Sequence, residues 1–124
     1  MTNYYNCPIS KTQVIPHGNH NVLWEQKEKL KDSYKYSDRI VLSTFGLISE
    51  NKNIETTLFA LPEIIKKHPS LLYLIIGKTH PEIIKNEGEK YRKKLAAIVD
   101  ELYLQDNVVF INEYVELKQL LEYL

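Results

Sequence analysis

Six consecutive apolar residues, Leu71–Ile76 (L-L-Y-L-I-I), run without interruption into Gly77. Thirty-one positions earlier the run Arg39–Phe45 (R-I-V-L-S-T-F) ends in the same way at Gly46. A strand wet on one face would alternate apolar and polar residues. Continuous apolarity instead suits strands buried on both faces of a parallel sheet. A repeat of about thirty residues leaves room for one crossover helix between neighbouring parallel strands. Two further runs fit the scheme: Thr12–Pro16 (T-Q-V-I-P) ends near Gly18, and Asn107–Ile111 (N-V-V-F-I) ends at Asn112, a residue type that also tolerates tight turns. Four parallel strands are expected.

Helical periodicity fills the gaps. Ile54, Leu58, Leu61 and Ile65 share one helical face, with Asn53 placed to cap it and Glu55 in its first turn. Lys66, Lys67 and His68 crowd the last turn and Pro69 stops it, while Pro62 predicts a kink or a restart. Pro81 suits a first helical position, and Gly88 predicts a break. Beyond it, Tyr91, Leu95, Ile98, Val99 and Leu102 form an apolar stripe, with Glu89 and Lys93 spaced to pair on the wet face. Leu117, Leu120, Leu121 and Leu124 begin another amphipathic helix, whose stripe favours self-association if left exposed. The polar stretch Asn21–Ser37, with Trp24 and Leu30 as isolated apolar residues, reads as a long loop with one short helix. The expected fold class is α/β, a Rossmann-like open parallel sheet with helices on both faces. The last stripe runs to Leu124 with no glycine, proline or basic turn after it, so residues 1–124 read as a single partial domain cut at both ends. Residues 1–11 read as the remainder of a preceding domain.

Composition excludes several functions. Sixteen Lys and Arg balance sixteen Asp and Glu, which leaves no net field to attract nucleic acid or an anionic membrane. The tyrosines are scattered among charges and make no stacking platform. Cys7 is the one cysteine, too few for an intrachain disulfide or a cysteine metal site, which suits the reducing cytoplasm. His17 and His20 lack an acidic or cysteine partner nearby and read as loop residues, and no metal site is expected. His80 reads as a helix-entry residue before Pro81. No signal-peptide core opens the chain, and its longest apolar run is too short to span a bilayer. The Gly-x4-Gly-Lys loop and the Gly-x-Gly-x-x-Gly fingerprint are both absent.

In open parallel sheets, ligands bind at the carboxyl ends of the strands, where Gly46 and Gly77 stand. Glycine there lets the main chain turn sharply and lets a ligand approach it. The segment Gly46–Asn53 (G-L-I-S-E-N-K-N) leads to a helix N-terminus, a natural anion site. Lys52 sits just before that helix, where the dipole disfavours a cation unless a phosphate also arrives. The plainer alternative has Glu50 and Glu55 neutralise Lys52 on a solvated loop.

Val14–Gly18 (V-I-P-H-G) and Arg39–Asn53 (R-I-V-L-S-T-F-G-L-I-S-E-N-K-N) resemble the start of the C-terminal domain of group 1 (family 4) glycosyltransferases. Leu72–Gly77 (L-Y-L-I-I-G) and Asn107–Tyr123 resemble the same domain further on, in the family's order. The Thr79-His80-Pro81 segment looks like one bacterial subset of the family. The resemblance implies a GT-B fold, with two Rossmann-like domains facing a cleft. It implies transfer of a sugar from a nucleotide-sugar donor with retention of configuration, the donor being substrate and no separate cofactor being needed. It assigns Gly46 and Lys52 to the donor phosphates, and Gly77, Tyr114 and Val115 to the nucleotide. Leu47 replaces an arginine frequent in the family, Asn112 replaces a glycine, and the resemblance places the family's acidic E-x7-E motif beyond Leu124 and its acceptor domain outside residues 1–124. The isolated chain is therefore expected to transfer no sugar. The competing expectation is a non-catalytic α/β module for nucleotide binding or protein interaction.

Overall fold

The structure is a computed structural model, and it describes residues 8–19, 21 and 26–123. Cys7, His20, Trp24 and Leu124 lie outside the described residues. Among the described residues five helices and three strands follow in order: α1 (Lys27–Ser33), β1 (Ile40–Phe45), α2 (Ile54–Lys67), β2 (Leu71–Ile76), α3 (Pro81–Glu87), α4 (Lys90–Glu101), β3 (Val108–Ile111) and α5 (Leu117–Tyr123). Single 3-10 turns stand at Ile9–Lys11 and Glu50–Lys52.

The three strands form one parallel sheet in the order β1-β2-β3. Ile40 pairs with Leu71 and Phe45 with Ile76 along β1 and β2, while Tyr73 pairs with Val108 and Ile76 with Ile111 along β2 and β3. All six residues of the central strand are buried. This is the reason for its unbroken apolar run: successive side chains point to opposite faces, and both faces are covered. Leu71, Tyr73 and Ile75 meet Ile54, Leu58 and Leu61 of α2 and Tyr91, Leu95 and Val99 of α4. Leu72, Leu74 and Ile76 meet Val41, Val109 and Ile111, with Tyr36, Val115 and Tyr123 packed over them. Tyr34 donates a hydrogen bond to Glu122 at 2.7 Å and lies against the Tyr123 ring, so the end of α1 is tied to α5 on this second face. The fold is thus the α/β, Rossmann-like open parallel sheet with helices on both faces.

Several expectations are corrected. Thr12–Pro16 is not a strand, and Val14 and Ile15 are 88 % and 79 % exposed. Two apolar side chains return about 1.5–3 kcal/mol each when buried. Ordering five residues costs about 1–2 kcal/mol apiece, so this segment cannot secure its own place in a sheet. At Pro62 the helix neither ends nor restarts, since α2 is continuous from Ile54 to Lys67. A helix-interior proline costs about 3 kcal/mol. Full burial of Ile54, Leu58 and Leu61 outweighs it. Glu89 does not pair with Lys93; its carboxylate takes the Thr79 hydroxyl at 2.5 Å and lies 3.4 Å from Arg92 Nε. The leucine stripe of α5 is divided: Leu117 and Leu121 are exposed, while Leu120 is half-buried and turns into a cleft. The break at Gly88 is present, with the left-handed glycine (φ 64) closing α3.

Candidate functional site

β1 and β2 do not part at their carboxyl ends. Gly46 donates its N–H to Ile76, Ile48 to Lys78, and His80 to Ile48, so the two loops continue the ladder past the glycines. Ile48 and Thr79 face each other in a parallel bridge and are fully buried. Gly46 (φ +112) and Gly77 (φ +132) hold backbone conformations that side chains disfavour. A Cβ on Gly77 would stand 2.0 Å from the Gly46 carbonyl oxygen. The chain therefore requires Gly77 for its own crossing, apart from any ligand.

From Gly46 the chain runs through the turn Glu50–Lys52 to Asn53, which adopts the left-handed conformation (φ 47, ψ 45) at the N-terminus of α2. This turn folds the Lys52 side chain back over the strand end. Its Nζ lies 3.4 Å from the point where a Gly46 Cβ would stand. Among the described residues no carboxylate lies within 4 Å of that ammonium. Glu55 does not neutralise it, because Glu55 accepts from Lys94 Nζ at 2.6 Å and from the Tyr91 hydroxyl at 2.5 Å.

Asn53 makes no side-chain cap, contrary to expectation. The Tyr91 oxygen performs that task by accepting the Ile54 N–H at 3.1 Å. Burial, together with the bond to Glu55, pushes the Tyr91 phenol well above its ordinary range. Burial pushes the Glu55 carboxyl up, but hydrogen bonds from Lys94 and Tyr91 outweigh it and hold it below its ordinary 4.5. Tyr91→Phe leaves a buried N–H without an acceptor and should destabilise the chain by about 1–3 kcal/mol, read by urea unfolding at neutral pH. The depressed Glu55 contributes stability that is complete above pH 4.5 and is lost as pH falls through its lower folded value. Glu55→Gln should accordingly flatten the acid limb of the stability profile; an unchanged limb would contradict the assignment.

A cleft of about 130 Å³ opens at the strand ends, lined by Gly46, Leu47, Gly77, Tyr114, Val115 and Leu120 among others. Four of the five sequence-chosen residues thus meet in one hollow, and the fifth, Lys52, lies over Gly46. Tyr114 is 77 % exposed, whereas Val115 also packs into the second core face. A larger hollow of about 410 Å³ lies between Ser49–Asn51 and α3, lined by Glu50, Glu82 and Glu87. These three carboxylates repel a phosphate, whereas the smaller cleft has the single carboxylate of Glu113 together with Lys78 in its lining, so size does not decide between the two. His80 at its edge caps α3 by accepting the Glu82 N–H at Nδ1, 3.2 Å away, in keeping with a helix-entry role. Among the described residues no three His, Cys, Asp or Glu side chains converge as metal ligands, and no helix is long and apolar enough to cross a membrane.

Sequence reasoning missed Arg92. Its Nη2 donates to the Gly77 carbonyl at 2.5 Å, and its guanidinium carbon lies 5.9 Å from the centre of the Phe110 ring. The i, i+3 spacing from Glu89 signals the ion pair, but nothing local signals the reach to Gly77.

Residues 25–124 match the family described as Glycosyl transferases group 1. No curated protein matches the chain. Among solved structures, Anabaena Alr3699/HepE in complex with UDP superposes with a TM-score of 0.61 at 20% sequence identity, over 76% of this chain and 24% of that one. This likeness establishes a shared fold. The chain spans about a quarter of the length of that relative.

Proposed function

This chain belongs to the group 1 glycosyl transferases, and on that footing we propose that its strand-end cleft holds the nucleotide diphosphate of a sugar donor. The observation that carries the reading is Lys52, an ammonium folded over Gly46 with no carboxylate within 4 Å among the described residues. Gly46 lets the diphosphate approach the main chain, and Lys52 supplies the charge. Gly77, Tyr114 and Val115 line the same cleft on the nucleotide side. Residues 12–124 are then part of the C-terminal, donor-binding domain of a two-domain GT-B enzyme, with residues 1–11 as the remainder of the domain before it. Charge builds on the leaving diphosphate as the sugar–phosphate bond breaks, and a fixed cation stabilises it most at that moment. Transfer with retention and the acceptor's binding need groups outside this chain, so the 124 residues bind donor without turning it over. The UDP carried by the Anabaena structure makes a uridine nucleotide the first ligand to try.

UDP titrated into the 15N-labelled chain should shift the amides of Gly46, Leu47, Gly77, Lys78, Tyr114 and Val115 together. Shifts confined to the hollow between Ser49 and Glu87, or none at all, would overturn the reading.

A further inference from the structure

We infer that Arg92 is a positioning residue for this cleft: its guanidinium fixes the Gly77 carbonyl, and through it the Gly46–Gly77 crossing against which the ligand lies. The inference rests on the donor-binding reading and extends it to a residue outside the cleft lining.

Arg92 occupies a place where a cation is hard to justify on stability alone. It stands in the first turn of α4, at the positive end of the helix dipole. Its side chain is only 12 % exposed. Its compensation is thin: one carbonyl, that of Gly77, one carboxylate, Glu89, at 3.4 Å without hydrogen-bond geometry, and the face of the Phe110 ring at 5.9 Å. Nε and Nη1 are buried with no acceptor. Burial pushes the guanidinium down from its ordinary range, against the opposing pull of Glu89. A buried charge so poorly paired is commonly replaced by an apolar side chain of similar size with no loss of stability, or with a gain. Phe110 already offers such a side chain a surface. What the apolar replacement cannot do is hold the Gly77 carbonyl. That carbonyl belongs to the residue whose Cα touches the Gly46 carbonyl, so a shift at Gly77 moves Gly46, and with it the cleft wall beneath Lys52. Glu89 acts on the same loop by accepting from the buried Thr79 hydroxyl, which leaves Arg92 as the side chain reaching the glycine itself.

The two explanations of Arg92 make opposite forecasts for Arg92→Met. A structural role lowers the unfolding midpoint. A positioning role leaves the midpoint unchanged or raised, yet weakens UDP binding on the order of tenfold and moves the Gly46, Gly77 and Lys78 amides. The experiment measures thermal unfolding, UDP affinity and the amide spectrum of the 124-residue chain for wild type, Arg92→Met and Arg92→Lys. Arg92→Lys, which can still reach one carbonyl, should recover part of the affinity. Wild-type affinity in a folded Arg92→Met would overturn the proposal, as would a lowered midpoint with affinity lost in proportion. If Arg92→Met does not fold, the proposal is overturned unless Arg92→Lys keeps its midpoint and loses affinity. If the wild-type chain binds no UDP, the donor reading fails by itself. Unmoved Gly46 and Gly77 amides in Arg92→Met would then still refute the positioning link.

Discussion

Gly77→Ala should be the most damaging of the four glycine-to-alanine changes in this chain. The added carbon meets the Gly46 carbonyl oxygen at 2.0 Å, a backbone atom that cannot swing aside, and the residue sits at φ +132. Backbone strain of this kind costs about 1–3 kcal/mol, and forced overpacking about 1–3 kcal/mol more. Small domains hold only about 5–15 kcal/mol in all, so the variant should lose a large share of its stability in urea. Two other glycines calibrate the result. Gly88 has positive φ (+64) but open space, so Gly88→Ala should show the strain alone. Gly18 has neither constraint, and Gly18→Ala should change nothing measurable. A Gly77→Ala midpoint equal to that of Gly88→Ala would mean that the crossing relaxes freely.

Lys52→Glu should abolish UDP binding while leaving the unfolding midpoint in place. The wild-type ammonium approaches no carboxylate among the described residues, so the variant breaks no ion pair of the fold. If the cleft holds the diphosphate as proposed, the variant sets a carboxylate against it. Lys52→Ala removes one charged contact and should weaken binding on the order of tenfold. Wild-type binding should weaken as salt rises, because an exposed pair is screened. In a longer enzyme that carries this chain, Lys52→Ala should slow transfer more than it weakens donor binding, by on the order of 2–4 kcal/mol of barrier. Near-normal UDP affinity in Lys52→Glu would reduce Lys52 to a solvated surface residue.

The parts of this molecule that were legible in its sequence are those that local chemistry decides. Leu71–Ile76 is a strand with the expected ends because its apolar run has no other stable place than a doubly covered sheet. Gly88 ends a helix because few residues accept its backbone angles. Gly46, Gly77, Tyr114 and Val115 meet because parallel strands bring their carboxyl ends to one edge. Contacts made across the fold were not legible. Tyr91 reads as one more apolar position in a stripe, yet its hydroxyl caps a helix thirty-seven residues away. Nothing local in the sequence signals the burial of Arg92 against Gly77. Thr12–Pro16 has strand-like residues, but pattern alone does not supply a partner to cover Val14 and Ile15.

The bridge between Ile48 and Thr79 bears on how quickly a ligand could be captured. Loops at the rim of a site often have to be frozen on arrival, and that ordering entropy slows or weakens association. Here the rim is already stitched, with Ile48 and His80 hydrogen-bonded across the loops and both bridging residues sealed from water. Little freedom is left in this wall to surrender. On this side of the cleft, capture of a ligand would not wait for a loop to close.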